Sequence, residues 1–100
     1  MSNELQSICE KIVREVSPVQ IILYGTKFTP SGDRLREANL CIVVETEAKE
    51  AERRLYRSLE LDFPFNLLVY NKEIWEKLLS DSTSYASSIQ KKGVVLYGKA

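Results

Sequence analysis

Apolar residues in this chain recur with two different periods, and the switches between them mark out the elements. Leu5, Ile8, Cys9, Ile12, Val13 and Val16 step by three and four, which places them on one face of a helix. Ser17-Pro18 ends that helix, because the residue before a proline is pushed out of the helical region. "VQIILYG", Val19 to Gly25, is a nearly continuous apolar and β-branched run, as expected of a strand buried on both faces. Gly25 is expected to close it, as a left-handed strand end or as a contact for phosphate. A polar loop from Thr26 to Ala38 follows, with Pro30 and Gly32 in "TPSGD" as turn formers. "NLCIVVE", Asn39 to Glu45, reads as a second strand.

"EAKEAERRLYRSLE" then predicts a helix with Ala48, Ala51, Leu55 and Leu59 inward and a dense, solvated charged face outward. "FPFNLLVY" is a third strand, with Pro64 near its start, where a missing amide is tolerated. Asn71 is placed to cap "KEIWEKLLS", in which Ile74, Trp75, Leu78 and Leu79 form an apolar stripe. Trp75 reads as a core side chain in preference to a platform for a nucleobase. "STSYASSIQKK" suggests a short last helix with Gly93 at the position after its end, and "GVVLYG" a final strand. Strands one and two, joined by a loop, can pair antiparallel; strands two and three, separated by a helix, suit a parallel crossover. The expected fold class is therefore α/β in the α+β sense: one domain over residues 1–100, with a small mixed sheet of about four strands packed with about four helices. Leu5, Ile8, Ile12, Ile22, Val43, Leu55, Leu68, Trp75 and Leu78 are the expected core.

Composition narrows the function. One hundred residues leave no room for a second core. Fourteen basic residues balance fourteen acidic ones without any long run of one sign, so the cation cluster of a dedicated nucleic-acid binder is missing. The chain has no histidine, which removes His-based acid–base catalysis and the common zinc sites. Cys9 and Cys41 lie far apart within apolar patterns and read as reduced, structural thiols. "MSNELQSICEKIVREV" lacks the apolar core of a signal peptide, and no stretch approaches the ~20 apolar residues that span a bilayer. A cytoplasmic protein without membrane contact is the expectation.

The stretch "LYGTKFTPSGDRLREANLCIVVE" raises the question of chemistry, since a strand breaking on glycine plus a hydroxyl residue often holds phosphate. "IILYGT", "NLCIVV", "FNLLVY" and "KKGVVLYG", in that order and spacing, resemble the nucleotidyltransferase superfamily typified by DNA polymerase beta. The likeness is to its smallest members, the minimal nucleotidyltransferases of prokaryotes, and covers nearly the whole chain. It implies a nucleotidyltransferase fold with a Gly-Ser corner for phosphates, an Asp-x-Asp strand and a third aspartate on the next strand. In active relatives, the resemblance implies, those three carboxylates hold two magnesium ions that bridge a nucleoside triphosphate. Alternate residues of a strand point the same way, so acids two apart can share a metal.

Carried over residue by residue, the likeness is partial. Gly25 and Thr26 match the corner, and Lys27 follows it as a candidate phosphate partner. Asn39, Cys41 and Asn66 stand where the three acids would be. An asparagine offers magnesium one neutral oxygen, and a thiol is too soft for it. Glu37 joins the face of Asn39 if the strand starts early, which makes it a candidate substitute ligand; Asp33 lies further back in the loop and Glu45 at the far end of the strand. The plainer reading of Glu37 and Asp33 is solvated loop charge, and of the two asparagines polar residues at the mouth of an old site, hydrogen-bonded to each other or to backbone. The resemblance thus implies a degenerate, non-catalytic domain: a pseudoenzyme acting as a binding or antitoxin-like module. Its expected partners are a separately encoded helical protein of the HEPN class or a homo-oligomer, with a nucleotide possible and nucleic acid not expected. No cofactor is expected. The alternative is an active nucleotidyltransferase that moves a nucleoside monophosphate from ATP with Mg²⁺ and atypical ligands such as Glu37. A structural homodimer without a ligand is a third.

Overall fold

The organising unit is a long antiparallel hairpin. In the computed structural model, which describes residues 3–32, 35–60 and 64–98, β1 (Gln20–Phe28) runs back on β2 (Leu35–Val44). Around it the order is α1 (Asn3–Val16) before the hairpin, then α2 (Ala48–Ser58), β3 (Phe65–Asn71), α3 (Lys72–Leu79), α4 (Tyr85–Lys92) and β4 (Val94–Tyr97). The sheet order is β3-β2-β1-β4, with β2 and β3 parallel and the other two pairings antiparallel. The α+β class, four helices and four-stranded mixed sheet follow the sequence pattern.

Strand alternation sorts the apolar residues into two layers. On one face Ile21, Leu40, Ile42 and Leu67 pack under Ile8 and Ile12 of α1 and Ala51 and Leu55 of α2. On the other, Ile22, Cys41 and Val43 pack under Trp75 of α3 and Ala86 and Ile89 of α4. β1 and β2 are therefore covered on both sides, as their unbroken apolar runs require. Seven of the nine expected core residues are buried; Leu68 and Leu78 are half-buried at the margin of the second layer.

Local signals explain the element ends. α1 stops at Ser17, whose φ of 45° is left-handed and whose amide still donates to the Val13 carbonyl at 3.0 Å. The Asn71 side chain accepts from the Glu73 amide at 2.9 Å, so the expected cap of α3 is in place. Ser84 does the same for α4 through the Ser87 amide, at 3.1 Å.

Four expectations need correction. β1 does not end at Gly25 but continues to Phe28, and β2 begins at Leu35, so most of the expected loop is hairpin. Gly25 is not in a left-handed conformation; the chain stays extended there because Gly25 pairs with Asn39. Ile74 is 54% exposed, because α3 turns only Trp75 and its neighbours one turn on toward the sheet. Gly93 follows α4 directly as expected, but as its extended C-cap, φ −76°, and not as a C′ residue; its reason is space, since a Cβ there would meet Ile22 Cγ2 and the Ile89 carbonyl.

Candidate functional site

The polar end of the sheet face under α3 and α4 gathers several of the residues singled out in the sequence. Asn39 and Asn66 are register partners on the parallel strands β2 and β3. Residues matched across a ladder point to the same side, so their side chains meet, and the Asn66 amide donates to Asn39 Oδ1 at 2.8 Å. On the other side of Asn39 lies Gly25, its partner on β1. A Cβ on Gly25 would stand 2.8 Å from the Asn39 side-chain nitrogen. The Asn39 amide lies over Gly25, across the hairpin, and a larger residue there would displace it. The structure thus joins Gly25, Asn39 and Asn66 into one row across three strands.

Cys41 shares their face but not their environment. It lies one repeat further along β2 and is fully enclosed by the second apolar layer. Burial pushes its thiol up to about 12, so it stays protonated and offers no thiolate to a metal. Of the three positions that would carry acids, only the two asparagines reach the solvent edge.

The candidate substitutes are differently placed. Because β2 starts at Leu35, Glu37 does share the face of Asn39, two residues away. Its carboxylate lies 3.9 Å from Lys27 Nζ, across the hairpin where the two residues are paired. The candidate ligand and the candidate phosphate partner therefore contact each other, in an exposed pair of the kind worth about 0–1 kcal/mol. Asp33 lies outside the described residues. Glu45 is exposed beyond the far end of β2. Among the described residues no group of three His, Cys, Asp or Glu side chains comes together as a metal would need. Two neutral amides and one buried thiol do not fit a pair of magnesium ions.

Thr26 pairs with Ala38, so the Gly25–Thr26 corner lies within a ladder. β4 reaches β1 only as far as Leu23, opposite Val94. From Gly25 to Phe28 the outer side of β1 therefore has no strand beside it among the described residues, and alternate main-chain groups point out there. Those amides are the donors this corner has to offer an anion.

Three phenols on this face were not among the residues that the sequence pattern singles out. Tyr24, just before Gly25, meets Tyr85 of α4 edge-on with ring centroids 6.2 Å apart. Tyr70 lies two strand repeats beyond Asn66 and packs on Trp75 at 5.2 Å. Burial first, then the neighbouring Tyr85, Cys41 and Tyr70, pushes the Tyr24 hydroxyl up to about 12. Tyr70 is raised by burial and by Cys41 and Tyr85. Tyr24, next to Gly25, thus keeps its proton beside the row of amides, and Tyr70 lies further along the same face. Tyr70 was findable from its even spacing with Asn66; Tyr85 carried no signal, because its contact depends on how α4 docks.

No protein-family model, curated protein or solved structure matches this chain.

Proposed function

We propose that this domain is a non-catalytic binding module on a nucleotidyltransferase-like scaffold, in which an amide pair occupies the place of the metal-holding acids. The observation that carries the reading is the Asn66–Asn39 hydrogen bond of 2.8 Å between register partners, beside the glycine of the corner. Two acids at those positions would need a cation between them; two asparagines satisfy each other without one. The reading makes the site neutral, with amide and phenol groups as its recognition elements and the paired Lys27 and Glu37 on the same hairpin. Catalysis of nucleotidyl transfer depends on positioning and on neutralising phosphate charge, and neither is supported by this set of groups. The biological role that fits is engagement of a protein partner, antitoxin-like, with a helical HEPN-class protein as the partner the family resemblance suggests.

Calorimetric titration with ATP and Mg²⁺, together with labelled ATP offered to the protein and a helical partner, tests the proposal. The expected result is no magnesium-dependent heat and no transferred label. Tight metal-dependent ATP binding, lost in Glu37→Gln, would overturn it in favour of an enzyme that uses Glu37, which shares the Asn39 face.

A further inference from the structure

We infer that the outer edge of β4 and the adjoining flank of α1 form a contact between two copies of this chain. The sheet has two edges, and they are treated differently. At the β3 edge the Leu67 amide, turned away from β2, donates to the Tyr56 hydroxyl at 3.2 Å. The Tyr56 ring stacks on Phe65 with centroids 5.5 Å apart, so α2 occupies part of that edge. At the other edge β4 pairs with β1 on its inner side, and among the described residues no strand pairs its outer side. Val94 is 59% exposed and Tyr97 42%. An unpaired strand edge with apolar residues beside it is a template for another strand.

A groove of about 520 Å³ runs alongside that edge, between α1 and β4. Cys9, Val13 and Leu96 give it an apolar floor, and Glu10 and Arg14 stand on its α1 side. Neither charge has an ion pair among the described residues.

A second copy is the occupant that matches this surface. Antiparallel pairing of β4 with its own copy, about a two-fold axis normal to the sheet, leaves both α1 helices on the same face and antiparallel. Glu10 of each then lies toward Arg14 of the other, so a single contact made twice matches both charges. The face carries one charge of each sign, which suits itself better than an anionic or cationic partner. Once β4 is paired with its copy, its own edge is satisfied, and what stays open is the outer side of β1 beyond Leu23 and the β3 edge, where Tyr56 takes the Leu67 amide. Lys91 and Lys92 flank the start of β4 and discourage pairing in other registers. This surface lies apart from the asparagine row and does not depend on what that row binds.

Sedimentation equilibrium of the whole chain, from low micromolar to hundreds of micromolar, tests the inference. The expected result is a monomer–dimer equilibrium. Glu10→Arg alone or Arg14→Glu alone sets like charges against each other twice, and each should weaken the dimer about tenfold or more. The double swap, Glu10→Arg with Arg14→Glu, should restore it to within about threefold of the parent. Both side chains border an open groove, so folding is kept, as circular dichroism verifies. A monomer throughout the range, or a dimer indifferent to both reversals, would overturn the inference.

Discussion

Replacing both asparagines of the cross-strand pair by aspartate, Asn39→Asp with Asn66→Asp, puts two carboxylates where one hydrogen bond of 2.8 Å now stands. The lost bond costs about 1 kcal/mol. Two unit charges about 4 Å apart repel by about 1 kcal/mol in water and about 4 kcal/mol at the effective dielectric near a protein surface. Asn66 is exposed and Asn39 half-buried, so the lower half of that range applies. The double variant should be about 2–3 kcal/mol less stable than the parent at neutral pH, a large part of the ~5–15 kcal/mol of a small domain. The sign with pH follows from linkage. Repulsion raises the carboxyl pKa in the fold by about 1–1.5 units above its ordinary value near 4, so the folded state keeps a proton that the unfolded chain releases. The repulsive part is absent below about pH 4 and grows as pH rises to about 5.5. Urea midpoints measured across that window, with EDTA and with millimolar Mg²⁺, read the effect. Magnesium binding the folded pair at ten times its Kd would return about 1.4 kcal/mol. Asn39→Asp alone is the control, since it leaves an acceptor facing the Asn66 amide and strengthens that bond. A double variant that loses no stability between about pH 4 and about pH 6 would refute the adjacency of the two side chains.

Three further outcomes are expected. Gly93→Ala drives a methyl into Ile22 and the Ile89 carbonyl and should cost about 2–3 kcal/mol in thermal or urea unfolding, as overpacking does. Tyr56→Phe removes the acceptor for the Leu67 amide, costing about 0.5–1 kcal/mol and, by light scattering, raising aggregation through the opened β3 edge. Cys41 and Tyr24 are both pushed up to about 12 in the fold. The unfolded chain ionises them near about 8.5 and about 10, so stability should fall steadily as pH rises from about 8.5 toward about 12, and Cys41→Ser should flatten the lower part of that decline.

How far the sequence could be read depended on how local each determinant was. The partnership of Asn39 and Asn66 was legible because strand alternation and a parallel crossover leave few registers that keep both apolar layers inside. The Asn71 cap was legible for the same reason: its cause lies within two residues of it. The extent of the hairpin was not. Pro30 and Gly32 marked the turn, but Thr26 to Phe28 and Arg36 to Ala38 are polar enough to read as loop. Their pairing is decided by the partner strand, which carries the chain past Gly25 with a register shift in place of a strand end. Ile74 was misplaced because an eight-residue helix with four apolar positions has more apolar surface than the sheet beneath it can cover. Cys41 was placed on the correct face, but its enclosure depends on Trp75, Ala86 and Ile89, which arrive from two later helices.

The way β4 joins the sheet also sets where the molecule opens. β1 and β2 meet through a short turn, so closing that hairpin costs little chain entropy; β4 must bring Tyr97 to Ile21 from the other end of the chain. Among the described residues three pairs hold it there, from Ile21–Tyr97 to Leu23–Val94, with an irregularity between the first two. Local unfolding should therefore begin by peeling β4 from β1 while the hairpin stays protected, a difference that amide hydrogen exchange resolves strand by strand. The strand that comes away is also the one offered to a second copy. Its exchange should slow as protein concentration rises, whereas exchange in β2 should not change.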